Sequence, residues 1–201
     1  MFDPILRRVI DPVLRPLGRQ LAARHVSANA VTLLGFAIGV AAVPALAWQQ
    51  YTLALVLILA NRLCDGLDGA IARQRGLSDF GGFLDIVLDF VFYALVPFGF
   101  LLGQPDTAPF AAFLIVSFFG TGSSFLAFAV LAAKRGIDTE RRGRKSFYYL
   151  GGLAEGTETV IAFVAICLFP SWFVPIAIVF SAMCWITTLV RILEVRRALD
   201  R

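Results

Sequence analysis

Long apolar segments alternate with short polar ones along the whole chain. Three of these segments, residues 28–48, 108–133 and 172–190, contain no charged side chain. Each is about as long as the ~20 residues that a membrane-spanning helix needs. We therefore predict a spanning helix for each of them.

Three further apolar segments are interrupted by acidic residues. Residues 51–60 and 90–103 are each too short to span a membrane alone. The first becomes long enough only if its helix continues through two aspartates to about residue 73, and the second only if its helix begins at about residue 81 and includes two more aspartates. Residues 147–169 are long enough but carry two glutamates. Because a lipid-embedded backbone must satisfy its own hydrogen bonds, we predict helices here too, six spans in all.

The N-terminal segment has a different pattern. Residues 2–24 place apolar side chains at helical spacing between arginines, with Pro4, Pro12 and Pro16 as interruptions. This pattern predicts a kinked amphipathic helix on the cytoplasmic membrane face, with a disordered basic tail as the alternative. The predicted fold is thus an all-α integral membrane protein, six transmembrane helices preceded by an amphipathic interfacial helix, divided into segments 1–26 and 27–201.

Composition supports the membrane class. Of 201 residues, 59% are hydrophobic and 16% are charged, whereas soluble domains are about half apolar and a quarter charged. No alternating pattern suggests a membrane barrel, and the first 24 residues lack the apolar core of a cleavable signal peptide. We expect a multi-pass protein that is embedded in a bacterial inner membrane.

Basic residues lie on one side of the predicted spans. Connections 49–52, 103–108 and 170–171 contain no Lys or Arg, while the N-terminus, residues 73–79, residues 134–145 and the C-terminus contain nearly all 18. Positively charged loops stay in the cytoplasm, so we expect both termini there. The net charge of +4 then reflects topology and attraction to anionic membrane lipids rather than nucleic-acid binding.

Four aspartates stand out in the predicted hairpin. Asp65 and Asp68 are three residues apart, and Asp85 and Asp89 four, so each pair shares one face of its helix. If residues 74–80 form the turn, Asp68 lies about 8 Å and Asp65 about 12 Å below it, with the other pair at comparable depth. The four carboxylates should converge near the cytoplasmic surface.

Such a cluster needs its charge neutralised. Carboxylates inside a membrane are costly and mark functional sites. Protonation, as in a proton relay, is one solution; binding of divalent cations is the other, and oxygen-only ligands favour Mg²⁺ or Mn²⁺. Gly66, Gly69, Gly81 and Gly82 favour the second solution, since bare backbone admits a bulky anionic ligand, although tight helix packing would also explain them.

The hairpin resembles a known signature. Its pattern, Asp65-x-x-Asp68-Gly69-x-x-Ala72-Arg73 followed by Gly81-x-x-x-Asp85-x-x-x-Asp89, is similar to that of the CDP-alcohol phosphatidyltransferases. The predicted six helices and amphipathic N-terminus also resemble that family's architecture. One departure is that seven residues separate the arginine from the following glycine, where the family usually has eight.

The resemblance implies a reaction and roles for residues. The four aspartates would bind two divalent ions, Mg²⁺ or Mn²⁺, that hold the pyrophosphate of a CDP-alcohol lipid, with CDP-diacylglycerol as the expected donor. Asp89 would also act as general base on an acceptor alcohol, and CMP would leave. A homodimer is expected from the resemblance alone. Residues expected to bind the nucleotide are Asn29, Thr32, Gly69, Ala72, Arg73, Ser78 and Gly81.

The acceptor is not indicated by the signature. Relatives that use phosphorylated alcohols carry basic residues around a phosphate pocket, for which Arg144, Lys145 and Arg191 are candidates. Glu155 and Glu158 are three residues apart on the predicted fifth helix, near the depth of the aspartates. We expect them to face a polyol or amine-bearing acceptor; an ion pair with an intramembrane arginine is the structural alternative.

Two other classes of function compete with the transferase. In a transporter the acids would form an ion or proton path, but they concentrate at one membrane side and no polar chain reaches the other face. An inactive membrane scaffold is disfavoured by the intact set of aspartates. We therefore predict a phospholipid-synthesis transferase.

Overall fold

In the computed structural model of the protein, residues 3–135 and 152–199 are described below. This part of the chain is helical and contains no strand. Two single-turn 3₁₀ segments, Pro105–Thr107 and Pro170–Trp172, precede the fifth and seventh helices. The α-helices are α1 (Asp3–Ala23), α2 (Ala28–Ala47), α3 (Tyr51–Arg75), α4 (Asp79–Gly103), α5 (Ala108–Lys134), α6 (Gly156–Leu168) and α7 (Phe173–Leu199).

Four of these helices are long and apolar enough to cross a membrane. They are α2, α4, α5 and α7, and the last two are counted together with the 3₁₀ turn that precedes each of them. The prediction of an all-α integral membrane protein is confirmed at this level. The remaining two predicted spans differ: α3 carries the first aspartate pair along with several charged neighbours, and α6 has only 13 residues in the described part of the chain.

The fifth predicted span begins later than expected. Residues 147–151 lie outside the described part of the chain, and residues 152–155 are not helical. Gly152 packs so closely on Thr187 of α7 that a side chain there would clash, and the Ala154 N–H donates to Thr187 Oγ1 at 3.1 Å. Because this segment is held against α7 by its own backbone, α6 starts only at Gly156.

Helix α1 is continuous through Pro12 and Pro16, so neither proline divides it into separate helices. It lies against α3. The side chain of Leu14 is buried and packs against Gly66 of α3. Gly18 faces Ala70 so closely that a Cβ on Gly18 would lie 2.6 Å from the Ala70 Cβ. These small residues allow the two helices to approach each other. The division into segments 1–26 and 27–201 stays a prediction.

Helices α3 and α4 form the predicted antiparallel hairpin through a shorter turn than expected. Gly76 ends α3 with φ 104°, a conformation that favours glycine. Ser78 is the N-cap of α4, and its hydroxyl accepts the Gly81 N–H at 3.1 Å. Asp79 is the first helical residue of α4.

Aromatic packing joins the helices below the hairpin. Phe92 of α4 meets Phe163 of α6 edge-on at 6.2 Å, and Phe163 meets Phe118 of α5 at the same distance. Phe100 stacks on Phe173 of α7 with ring centroids 4.7 Å apart. Such pairs add to the burial of the rings themselves. This core fixes α4, and with it the second aspartate pair, relative to the bundle.

Candidate active site

Three of the four predicted carboxylates form one group. Asp65 and Asp68 on α3 and Asp85 on α4 each offer an oxygen, and these oxygens lie within 4.8 Å of one another. The helical spacing places the first two on one face, and the hairpin brings the third to meet them. We call these residues the three-aspartate group. The convergence expected from the sequence is thus observed for three of the four.

The fourth carboxylate has another partner. Asp89 Oδ1 accepts a hydrogen bond from Arg62 Nη2 at 2.7 Å, while Arg62 Nη1 is 3.7 Å from Asp65 Oδ2. Asp89 still lines the same pocket as the three-aspartate group. The pocket therefore contains four carboxylates and one guanidinium, and the closest ion pair is to Asp89.

Several side chains hold Arg62 in this position. Its Nε donates to Asn61 Oδ1 at 2.7 Å, and its Nη1 donates to Tyr93 Oη at 3.3 Å. The guanidinium carbon is 4.6 Å from the ring centre of Phe92 and 5.4 Å from that of Tyr93, within cation–π range. Asn61 in turn donates to the Gly35 carbonyl of α2 at 2.8 Å.

The donor atoms of the pocket match a hard divalent cation. Asp68 is 6% exposed, and its Oδ2 is buried without a hydrogen-bond partner in the described part of the chain. A buried carboxylate oxygen without a partner is costly unless it coordinates a cation. Grouped carboxylate oxygens are the ligands that Mg²⁺ and Mn²⁺ prefer. The three-aspartate group therefore fits such an ion.

The residues expected to bind the nucleotide surround the mouth of the hairpin. Thr32 lines the pocket and donates to the Ala28 carbonyl of its own helix at 3.1 Å. Asn29 Oδ1 lies 3.1 Å from where a Cβ on Gly81 would be, so this glycine keeps α2 and α4 close. Ser78 caps α4, as described above. Ala72 and Arg73 occupy the last turn of α3.

The four hairpin glycines serve different purposes. A Cβ on Gly66 would lie 2.5 Å from Leu14 Cδ1, so Gly66 is needed for the packing of α1 on α3. A Cβ on Gly69 would meet only the guanidinium of Arg73, and one on Gly82 would meet nothing within 4 Å. Packing thus accounts for Gly66, whereas Gly69 and Gly82 leave open space beside the pocket.

The two glutamates do not lie on a helix face as predicted. Glu155 is the N-cap of α6 and Glu158 its third residue, and they form a reciprocal capping box. The Glu155 N–H donates to Glu158 Oε2 at 3.2 Å, and the Gly152 N–H donates to Glu155 Oε1 at 3.0 Å. The prediction that both glutamates lie within one helix was wrong, because α6 begins between them at Gly156.

Among the basic acceptor candidates, Arg191 of α7 is described and buried. It is 9% exposed, and its Nη1 donates to the Thr121 carbonyl at 3.0 Å. Its Nε is buried and has no hydrogen-bond partner among the described residues. Glu155 is close enough to interact with it electrostatically. Arg144 and Lys145 lie outside the described residues.

Sequence reasoning missed the role of Arg62. From the sequence, Arg62 is one of the two arginines inside predicted spans, and an ion pair with one of the two glutamates is the only partner suggested for it. Its position was informative, because residue 62 precedes Asp65 by three, a spacing that places both on one helix face. The contact with Asp89, 27 residues away, depends on how the hairpin closes.

Known proteins that are similar to this chain indicate its family. Residues 25–193 match the family model of the CDP-alcohol phosphatidyltransferases. The chain is 56% identical over 193 residues to "Inner membrane protein YnjF" of Escherichia coli (strain K12), covering 96% of this chain and 94% of that protein. It is 28% identical over 201 residues to an archaetidylinositol phosphate synthase of Pyrococcus horikoshii, covering 100% of this chain and 99% of that one.

A solved structure shares the fold. The crystal structure of Mycobacterium tuberculosis phosphatidylinositol phosphate synthase (PgsA1) with CDP-DAG bound superposes with a TM-score of 0.58 at 24% sequence identity. The match covers 94% of this chain and 92% of that one. With the family-model match across most of the sequence, the resemblance first seen in the hairpin motif is confirmed. The chain belongs to the CDP-alcohol phosphatidyltransferase family.

Proposed function

We propose that the protein transfers a phosphatidyl group from CDP-diacylglycerol to an acceptor alcohol and releases CMP. The observation that carries this proposal is the three-aspartate group at the mouth of the hairpin, in which Asp68 Oδ2 is buried without a hydrogen-bond partner among the described residues. Acidic oxygens gathered there suit a divalent cation and a pyrophosphate. The name of the relative with CDP-DAG bound supports the choice of donor.

Two divalent ions, Mg²⁺ or Mn²⁺, would be held by Asp65, Asp68, Asp85 and Asp89. When bound, they would grip the pyrophosphate and offset negative charge on the departing CMP. Asp89 is the proposed general base, since it lines the pocket and lies outside the three-aspartate group. Its carboxylate would take the proton of the acceptor hydroxyl while that oxygen attacks the lipid-side phosphorus.

The nucleotide would lie over the open backbone at the hairpin mouth. Gly69 and Gly81 would allow it to approach α3 and α4, and Arg73 would place its positive charge beside a phosphate. The remaining proposed contacts are the polar side chains of α2 and the cap of α4, together with the small side chain beside the arginine: Asn29, Thr32, Ser78 and Ala72.

The acceptor would enter between the pocket and α7. Arg191 is the best supported of the proposed contacts, because its buried Nε has a free donor among the described residues. Arg144 and Lys145 complete the basic set proposed from the sequence. Glu155 and Glu158 stay candidates for contact with a polyol, although their capping box already gives them a structural role.

The cellular setting follows from charge and similarity. We infer six spans, with α3 and α6 as the two beyond the four apolar helices, and an amphipathic α1 on the cytoplasmic face. The positive-inside rule puts both termini and the site in the cytoplasm. The printed name of the Escherichia coli relative supports the inner membrane. A homodimer is part of the proposal.

The direct test is CMP release from CDP-diacylglycerol by purified protein with Mg²⁺ or Mn²⁺. The acceptor panel would contain glycerol 3-phosphate, serine, inositol and inositol phosphate, the last two because of the relatives' names. Asp89→Asn should lower turnover by at least about 100-fold, the usual contribution of a general base. Asp79→Asn is the matched control, an exposed carboxylate on the same helix. Equal CMP release by wild type and Asp89→Asn with every acceptor would contradict the proposal.

A further inference from the structure

Arg62 places a positive charge inside the acidic pocket. Its Nη2 donates to Asp89 Oδ1 at 2.7 Å, and its Nη1 lies 3.7 Å from Asp65 Oδ2. Asp68 and Asp85 line the same pocket. A site that suits divalent cations therefore already contains a cation that belongs to the chain itself.

Contacts other than the ion pairs hold this cation in place. The side chain of Arg62 is 14% exposed and lies over the ring of Phe92, which is 1% exposed. Asn61 accepts the Arg62 Nε–H and donates to the Gly35 carbonyl of α2. A Cβ on Gly39 would lie 2.7 Å from Phe92 and 2.9 Å from Asn61, so a glycine at this position of α2 leaves space for both supports.

The ion pair is compatible with metal binding by all four aspartates. Arg62 contacts Oδ1 of Asp89, and an ionised carboxylate has a second oxygen with lone pairs of its own. Carboxylates that bind metal ions are commonly hydrogen-bonded to neighbouring side chains as well. Asp89 can therefore bind a metal ion while the guanidinium stays beside it.

The balance of charge indicates what a fixed cation does in this pocket. Four carboxylates and one guanidinium line it, which leaves an excess of three negative charges. The guanidinium repels divalent cations that approach the carboxylates, and it attracts the pyrophosphate of a donor. Both effects are stronger in a partly buried site than at the surface, because salt and water screen them less.

We propose that Arg62 is a specificity-determining residue, a fixed cation that weakens binding of the metal ions alone and strengthens binding of the anionic donor lipid. This inference rests on the proposed function. Arg62 coordinates no metal ion and takes no part in the proton transfer; it acts on both ligands through its charge. The site would then hold its divalent ions most firmly when the pyrophosphate of the donor is present.

The test uses the full-length protein in detergent and the uncharged variant Arg62→Gln, which keeps hydrogen-bond donors for Asp89. Arg62→Lys keeps the charge without the planar fork. Arg15→Gln is the matched control, because Arg15 is exposed and pairs with Asp11 on α1. Thermal unfolding identifies any variant that does not fold, and Arg62→Met takes the place of Arg62→Gln if that variant fails.

Two affinities are measured for each variant. Mn²⁺ binding is followed by electron paramagnetic resonance with no nucleotide or donor lipid present. Binding of CDP-diacylglycerol is measured at saturating Mn²⁺ without an acceptor alcohol, so that no transfer takes place. The Mn²⁺ signal from donor micelles without protein is subtracted.

In Arg62→Gln we expect the two affinities to change in opposite directions. Mn²⁺ should bind at least about ten-fold more tightly, and CDP-diacylglycerol at least about ten-fold more weakly, because one positive charge is removed from the pocket. Arg62→Lys should lie closer to wild type than to Arg62→Gln in both measurements, since the ammonium keeps that charge. Arg15→Gln should match wild type.

Mn²⁺ binding in Arg62→Gln that is equal to or weaker than in wild type would overturn the inference, and so would unchanged or tighter donor binding. A parallel loss of both affinities would indicate that Arg62 only maintains the fold. Arg62→Lys that behaves as Arg62→Gln would show that charge is not the cause. Failure of the proposed function would be distinct: a wild type that binds CDP-diacylglycerol but releases no CMP with any acceptor.

Discussion

Gly66 and Gly69 lie three residues apart on α3, and the structure predicts opposite consequences for the same substitution. At Gly69 an added Cβ would lie 3.3 Å from Arg73 Nη1 and 4.0 Å from its Cζ, the far end of an exposed, flexible side chain. A shift of a few tenths of an ångström removes that contact. Since alanine is favoured over glycine in a helix, Gly69→Ala should stabilise the protein by about 0.5–1 kcal/mol.

At Gly66 the same Cβ would lie 2.5 Å from Leu14 Cδ1, and Leu14 is 6% exposed. Overpacking of this kind costs about 1–3 kcal/mol, which exceeds the gain in helix propensity. Gly66→Ala should therefore be less stable than wild type by up to about 2 kcal/mol. The lost stability should come from the contact between α1 and α3.

The assay combines thermal unfolding in detergent with CMP release at varied CDP-diacylglycerol. If the nucleotide lies over Gly69, the added methyl should raise the donor KM about ten-fold, equal to about 1.4 kcal/mol of lost binding. Gly69→Ala would then be more stable and less active, a combination that misfolding cannot produce. A Gly69→Ala variant with wild-type donor KM would refute the placement of the nucleotide on α3.

The remaining predictions concern the metal and the segments around the bundle. Chelation with EDTA should abolish CMP release, and either Mg²⁺ or Mn²⁺ should restore it; activity that persists under chelation would contradict the metal proposal. Glu155→Ala should lose about 1 kcal/mol of stability in thermal unfolding, because it removes half of the capping box of α6. Thr187→Val should cost about 1–3 kcal/mol, because it leaves the Ala154 N–H without its acceptor. For Gly18→Leu, limited proteolysis should show release of α1 from α3, since Ala70 backbone atoms within 3.3 Å leave no space for a side chain.

Much of the helical architecture could be predicted because it depends on the hydropathy and spacing of residues that are close together in the sequence. The apolar runs at 28–48 and 108–133 match helices α2 and α5 to within one residue at each end. The run at 172–190 matches the start of α7 to within one residue, although that helix continues to Leu199. The two aspartate pairs were placed correctly on their helices because a spacing of three or four residues sets a helix face without any tertiary information.

Helix ends that depend on distant contacts could not be predicted in this way. The start of α6 is decided by the packing of Gly152 and Ala154 on Thr187, more than 30 residues later in the chain. The hydropathy of residues 147–169 contains no sign of that contact. The glutamates were therefore placed on a helix face when they in fact form a cap.

Composition and the spacing of residues within single helices are enough to predict the membrane class, the shared helix face of each aspartate pair and the resemblance to the family. The pairing of the charges in the hairpin depends instead on how α3 and α4 pack against each other. Arg62 is separated from Asp89 by 27 residues, and their 2.7 Å contact exists because Asn61, Phe92 and the closure of α3 on α4 bring them together. Local periodicity gives the face of a residue but not its partner, which depends on the distance and orientation between helices.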